Sequence, residues 1–391
     1  MLLKMYEVNF GEAILFKDNA EDFMIDCGAK FGGRGKEAAC KICPDLVNQK
    51  KTLLITHFDE DHYNGVLELN KCGRVKFDHI YLPLYIKKPN KNLISTWDFF
   101  KDTIRVWAYL KILGRPKKLD TLQNLFISLP QLVNCISDIS CIGRGDHFYC
   151  VGKEFSVLWP EKKEPTHFKI YATELKNIVN EFNNSTDRIT DFSEELSNIV
   201  ENYVNAFINI YVVYAENGQE QEIVHREGFF QLMEELERTF MRLGEISIKI
   251  NNENIKKRVA SIQSTKIRNM NECSIVFHNE EVLMLGDISK RIYKQVISKD
   301  TYKQYKVIKI AHHGTKAYYC NNVANSKRYI VSNSGNDKTN WKICDNYEKN
   351  YPQKMICTNT RVVKCASITN TCSNCKIGMP DGTIVLDTRI L

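Results

Sequence analysis

Thr52-Leu53-Leu54-Ile55-Thr56-His57-Phe58-Asp59-Glu60-Asp61-His62-Tyr63-Asn64-Gly65 decides the reading of this chain. Its first five residues form a short apolar and β-branched run, which reads as a buried strand. Metal-ligating residue types follow at once: His57, Asp59, Asp61 and His62 stand within six positions. Imidazole nitrogens and carboxylate oxygens together suit divalent ions. An extended chain would point 57, 59 and 61 to one side, and a tight loop would let His62 join from the other. On that geometry His57 and Asp59 serve one ion, and Asp61 and His62 a second. The plain alternative is a polar loop with chance acids.

Two further apolar runs end in the same way. Val282-Leu283-Met284-Leu285 leads into Gly286-Asp287, and Val307-Ile308-Lys309-Ile310-Ala311 leads into His312-His313-Gly314. In α/β sheets, ligand-binding residues gather at strand ends, where loops converge. Asp287 is placed to bridge two ions about 3.5–4 Å apart, as two-metal hydrolysis requires; otherwise it is a helix-capping turn residue. At least one of His312 and His313 reads as a ligand, and the other as a group that orients it or touches substrate. Asp61 is the candidate to hold or deprotonate a water, and His313 to stabilise charge on the electrophile. Two divalent ions, zinc or manganese, are the expected cofactors; the oxygen ligands Asp59, Asp61 and Asp287 tilt the preference toward the harder manganese.

Outward from these motifs the chain alternates strand and helix signals. Residues 13–16 and 23–25 are apolar runs on either side of a turn-like stretch, which predicts a hairpin closed by Asp26-Cys27-Gly28. A glycine-rich loop at 31–35 leads into a helical stretch to about Gln49. Strands are expected at 52–56 and 79–84, a helix at 99–113, and two strands around Gly152 within 148–158. Past Pro160 the composition shifts to Glu, Lys and Asn, with helical periodicity at 172–206 and 229–243. Strand patterns return at 273–277, 282–285, 307–310, 329–332 and 383–386. The expected organisation is α/β: residues 1–160 and 266–391 form two halves of one fold around a mostly helical insertion, 161–265. No internal repeat is visible.

The motifs resemble the metallo-β-lactamase superfamily, whose hallmark is H-x-H-x-D-H. Here the pattern is H-x-D-x-D-H, as in the competence-protein (ComEC-like) branch that handles DNA. Asp26-Cys27-Gly28, Val157-Leu158-Trp159-Pro160, residues 271–276, Leu285-Gly286-Asp287, Ala311-His312-His313-Gly314-Thr315 and Val331-Ser332-Asn333-Ser334-Gly335 follow that branch's motifs in order. The resemblance covers 1–160 and 266–391 and implies an αββα sandwich with the site at one edge, without a counterpart of the competence proteins' membrane channel. Asp26 is then either a direct participant or an acceptor of backbone hydrogen bonds beside the site. The superfamily often adds a histidine ligand before the Gly-Asp motif. His79 and His147 stand in that interval, His147 nearer the expected place, and a surface position is its plain reading.

The bulk numbers bound the rest. At 391 residues, 43% hydrophobic and 26% charged, the chain is globular and too long for one minimal domain. A net charge of +7 fits a polyanionic substrate, and equally a basic surface kept for solubility. The N-terminus has no apolar h-region, and no run of about 18 apolar residues suggests a membrane span. With 14 cysteines and no secretion signal, thiols or metal ligands are expected, in the cytoplasm. Cys365, Cys372 and Cys375 have a spacing that fits part of a structural zinc site, with Cys344, Cys357 or a distant residue as a fourth ligand; chance C-x-x-C pairs such as Cys40 and Cys43 are the alternative.

The function expected from the resemblance and the charge is a phosphodiesterase or nuclease on DNA or RNA. Such an enzyme would be restrained by a protein partner, a sensor or ATPase, as an effector in phage defence. Basic residues of the insertion (Lys249, Lys256, Lys257, Arg258, Lys266, Arg268) would contact phosphates, or else form a solvated face. A hydrolase of a nucleotide, cyclic nucleotide or lactone is the second reading, and a binding scaffold the third.

Overall fold

The computed structural model describes residues 1–30, 34–83, 104, 108, 124–134, 138–162, 198–206, 231, 234–242, 245, 270–297, 301–321, 323–333, 342–351, 354–358 and 382–391. Cys365, Cys372, Cys375 and the basic residues of the insertion lie outside them.

The chain divides into two units. One comprises Met1–Leu84, Asp138–Glu161 and Met270–Leu391; the other comprises Tyr85–Ser137 and Lys162–Asn269. Residues 85–137 fall in the same unit as residues 162–269. In the second unit, residues 198–206 and 234–242 are helical, within the stretches whose periodicity predicts helix, and Tyr203 stacks on Phe240 with ring centroids 5.9 Å apart.

The first unit is α/β, with two mixed sheets. Sheet one has the order β14-β1-β2-β3-β4-β5-β6, with β1 at Leu2–Met5, β2 at Ala13–Lys17, β3 at Glu21–Cys27, β4 at Lys50–Leu54, β5 at His79–Pro83, β6 at Ile139–Ile142 and β14 at Ile384–Asp387. Sheet two has the order β13-β12-β11-β10-β9-β8-β7. Here β7 is His147–Cys150, β8 Lys153–Trp159, β9 Val276–His278, β10 Val282–Met284, β11 Gln304–Lys309, β12 Asn325–Val331 and β13 Met355–Cys357. The joins follow one scheme in both. From β14 to β3, and from β7 to β10, neighbours are antiparallel; from β3 to β6, and from β10 to β13, they are parallel. No sequence repeat announces this shared topology.

Period-two alternation sorts the side chains. Ile14, Phe16, Phe23, Ile25 and Leu54 of sheet one meet Phe148, Phe155, Phe277, Val307 and Ile330 of sheet two in one buried cluster. The intervening Leu15, Met24 and Leu53 are buried on the other face of sheet one. On sheet two the intervening Leu283, Ile308 and Tyr329 pack with Ile292, Tyr293, Val296 and Tyr347. These last four lie on helices α3 (Lys290–Ile297) and α4 (Asp345–Asn350). Helices α1 (Arg34–Ile42) and α2 (Glu60–Cys72) pack on each other and on β3.

Two local expectations differ. The helix after the glycine-rich loop ends at Ile42 rather than near Gln49, giving way to a short 3-10 turn, Cys43–Asp45, with Pro44 at its start; a proline supplies no backbone N–H to continue the helical ladder. More consequentially, the chain is not extended through 61. Helix α2 begins at Glu60, with Asp59 as its N-cap, and ends at Gly73 in the left-handed conformation. Asp61 and His62 therefore ride on the first helical turn. Among the described residues no disulfide is present and no helix is long and apolar enough to cross a membrane.

Candidate metal centre

Four chain segments converge where the parallel part of each sheet begins: the end of β3, the segment after β4, and the turns after β10 and β11. They bring together two groups of residues able to hold a metal ion. One is His57, His62 and Asp287; the other is Asp61, His62 and His313; in each, the donor atoms lie within 4.8 Å of one another, and all five residues are buried. Each group offers two nitrogens and one oxygen, the donor chemistry of zinc and other borderline ions rather than of the hardest cations.

The hydrogen bonds fix which nitrogen each imidazole presents. Thr56 donates its hydroxyl proton to Asp26 Oδ2 at 2.6 Å, so its contact with His57 Nδ1 at 3.1 Å has the imidazole N–H donating. His62 Nδ1 donates to Asp26 Oδ2 at 2.8 Å. His313 Nδ1 donates to the Ser332 carbonyl at 3.0 Å. At His57 and His313, Nε2 is left with its lone pair toward the centre, and a partner on the far nitrogen is how proteins fix a metal-ligating tautomer; His62 Nε2 faces Asp287 Oδ2 at 3.2 Å and donates to it, a proton that an incoming ion would replace. His57 Nε2 and His313 Nε2 are buried with no hydrogen-bond partner among the described residues. A buried unsatisfied acceptor is costly, and a cation held by the group to which each belongs would satisfy it. The residues present therefore fit a metal ion.

Asp287 closes the arrangement. Its Oδ2 lies 3.2 Å from His62 Nε2 and 3.7 Å from His313 Nε2, while its Oδ1 faces Lys309 Nζ at 3.3 Å. Its backbone N–H donates to Ser274 Oγ. Asp61 Oδ2 lies 3.6 Å from His313 Nε2 and 3.7 Å from Lys30 Nζ. Because a neutral imidazole has one lone pair at Nε2, His62 would serve a single ion, although it belongs to both groups.

The local charges follow from burial and neighbours. Burial pushes the Asp287 and Asp61 carboxyls up, but His62, Lys309 and His313 around the first, and His313, His62 and Lys30 around the second, outweigh it and hold both low. Burial drives His57 down to about 4, helped by His62, and drives His312 down to about 4. His62 resists its burial and is raised by Asp287 and Asp26.

The predicted residues divide accordingly. His57, Asp61, His62, Asp287 and His313 come together. Asp59 belongs to neither group, although its Oδ2 lies 3.8 Å from His57 Nε2. The expected division of ligands, His57 with Asp59 and Asp61 with His62, is replaced by two groups that share His62. Helix α2 begins a residue before Asp61, and this turns His62 inward beside it. Of the histidine pair, His313 joins a group and His312 does not: His312 donates Nδ1–H to Thr315 Oγ1 at 2.8 Å and stacks on Tyr318 at 3.7 Å. Asp26 accepts from the Thr56 N–H and hydroxyl and from His62, so it aims a ligand. His147 sits exposed on β7 beside Ser156 and Glu154, and His79, on β5, bonds Ser140 on β6; neither belongs to either group.

Several participants escaped the sequence reading. Thr56 and Ser274 are uncharged neighbours with no signature. Glu12 and Lys309 did carry a signal: each is a lone charge in an apolar run, and a charge goes into a core only with a partner. Both are buried, with Lys309 Nζ 3.0 Å from Glu12 Oε2. Backbone strain marks the same place. Among the described residues, five non-glycine positions have positive φ, and Asp26 (53°), His312 (46°) and His313 (53°) are three of them. Such conformations cost about 1–3 kcal/mol each and collect at functional sites. Neither protein-family models nor curated proteins give a match to this chain.

Proposed function

We propose that the chain is a metal-dependent hydrolase of the metallo-β-lactamase fold that cleaves phosphodiester bonds in nucleic acid. The observation that carries this reading is the convergence of His57, His62, His313, Asp61 and Asp287, with two buried Nε2 atoms left without a hydrogen-bond partner among the described residues. The two face-to-face mixed sheets and the place of the ligands at strand ends agree with it. Divalent ions held there would supply Lewis acidity toward the scissile group and an acidified water near neutral pH.

The chain's own residues do the remainder. Asp61, with its Oδ2 3.6 Å from His313 Nε2, offers a carboxylate to hold or deprotonate an attacking water. Lys30, with its side chain 37% exposed and its Nζ 3.7 Å from Asp61 Oδ2, offers a cation to a phosphate oxygen at the rim. The net charge of +7 is compatible with a polyanionic substrate.

The test is hydrolysis of single-stranded DNA, double-stranded DNA and RNA with added zinc, manganese or magnesium, comparing wild type with Asp61→Ala. Metal-dependent cleavage in the wild type, at least about a hundredfold slower in the variant, is the expected result for loss of a proton acceptor. Metal bound by elemental analysis, with none of the three polymers cleaved but a nucleotide, cyclic nucleotide or lactone hydrolysed, would overturn the nuclease in favour of that small substrate.

A further inference from the structure

Lys309 occupies a position that an apolar residue would fill by default. Alternation along β11 sends Val307 into the cluster between the sheets and Ile308 to the outer face, so 309 turns inward again. There the side chain is 2% exposed, and its ammonium meets three oxygens: the Gly286 carbonyl at 2.9 Å, Glu12 Oε2 at 3.0 Å and Asp287 Oδ1 at 3.3 Å. The first and third are hydrogen bonds, and the contact with Glu12 is a buried ion pair. Glu12 reaches it from the other sheet, where its own backbone N–H donates to the carbonyls of Gly28 and Asp61. The pair therefore joins the turn that carries Asp287 to the segment that carries Asp61.

We infer that Lys309 is a positioning residue of the metal centre. Its ammonium holds Oδ1 of Asp287, so that Oδ2 alone faces His62 and His313, and Glu12 keeps the ammonium in place. The inference rests on the metal reading above. Stability alone is a poor reason for such a pair, because apolar replacements of similar volume are often neutral or stabilising, whereas removing one partner strands the other. That asymmetry supplies the test.

The full chain is prepared as wild type, as Lys309→Met and as Lys309→Met with Glu12→Gln. Zinc and manganese stoichiometry and affinity are measured by equilibrium dialysis with elemental analysis, and thermal unfolding of the metal-free forms is followed in parallel. The single variant is expected to melt lower, with Glu12 stranded, and the double variant to recover most of that loss. Metal affinity is expected to stay at least about tenfold weaker in both, the scale on which partners of metal ligands act. A double variant that binds metal as the wild type does would overturn the inference and leave the proposed function standing. One that fails to fold would assign the pair to the fold and overturn it too. A wild type that binds neither metal would sink the proposed function together with the inference.

Discussion

His62 gives its Nδ1 proton to Asp26, and Asp26 in turn is held by the backbone N–H and hydroxyl of Thr56. The imidazole cannot rotate without breaking that chain of bonds, so the direction of Nε2 is set by residues that would never touch an ion. Asp26 does this from a left-handed backbone, φ 53°, which asparagine also tolerates and alanine does not. Asp26→Asn is therefore expected to keep the backbone while replacing a charged acceptor with a neutral one. Metal affinity should fall on the order of tenfold, with little change in melting temperature. Asp26→Ala should lose the same affinity and, in addition, about 1–3 kcal/mol of stability from the stranded Thr56 and His62 donors and the backbone strain. Metal titration and thermal unfolding of both variants check this; equal stability losses would refute the division. The ligand types were legible at this scale because they follow apolar runs. Their aiming partners were not, since a threonine or serine beside a histidine looks like any other.

At the scale of elements, the decisive event is where α2 starts. The alternation that predicts one face for 57, 59 and 61 holds for extended chain, but Asp59 takes an N-cap conformation and the helix runs from Glu60. The signals were present: an N-cap residue type, acids in the first turn, and Gly73 to end the helix with φ 64°. The alternating H-x-D-x-D spacing is equally compatible with extended chain and so hides them. The first turn reaches the site because Gly28 lets it approach. A Cβ on Gly28 would collide with the backbone of Asp61, while one on Gly73 would meet nothing within 4 Å. The two alanine variants should therefore separate. Gly73→Ala costs about 1 kcal/mol for its left-handed φ and leaves metal binding intact. Gly28→Ala has no such φ penalty, yet it should cost about 1–3 kcal/mol of overpacking and shift Asp61 enough to weaken metal binding. Unchanged metal affinity in Gly28→Ala would show that the close approach serves packing alone.

Across the whole of the first unit, the two sheets repeat one scheme, and the site falls at matching points of both. Asp26 is the penultimate residue of β3 and Asp287 follows β10, the strands where each sheet passes from antiparallel to parallel; His57–His62 follow β4, and His312 and His313 follow β11, the next strand in each. This correspondence was invisible in the sequence because it resides in pairing between distant segments: β14 closes on β1 at the opposite end of the chain, and β1, β6 and β13 are too short to stand out. The alternation of strands and helices, and hence the α/β class, was legible locally. One consequence is energetic. His57, Asp61 and His62 belong to sheet one's loops, and Asp287 and His313 to sheet two's, so an ion bound by either group is a cross-link between the sheets. An ion that binds the native arrangement and not the unfolded chain stabilises by about 2.7 kcal/mol when free metal is a hundred times its dissociation constant. Chelation should therefore lower the melting temperature, zinc should restore it in proportion to the logarithm of its free concentration, and His313→Ala should flatten that dependence. A melting temperature indifferent to chelator and zinc would mean that these five side chains meet without holding an ion between the sheets.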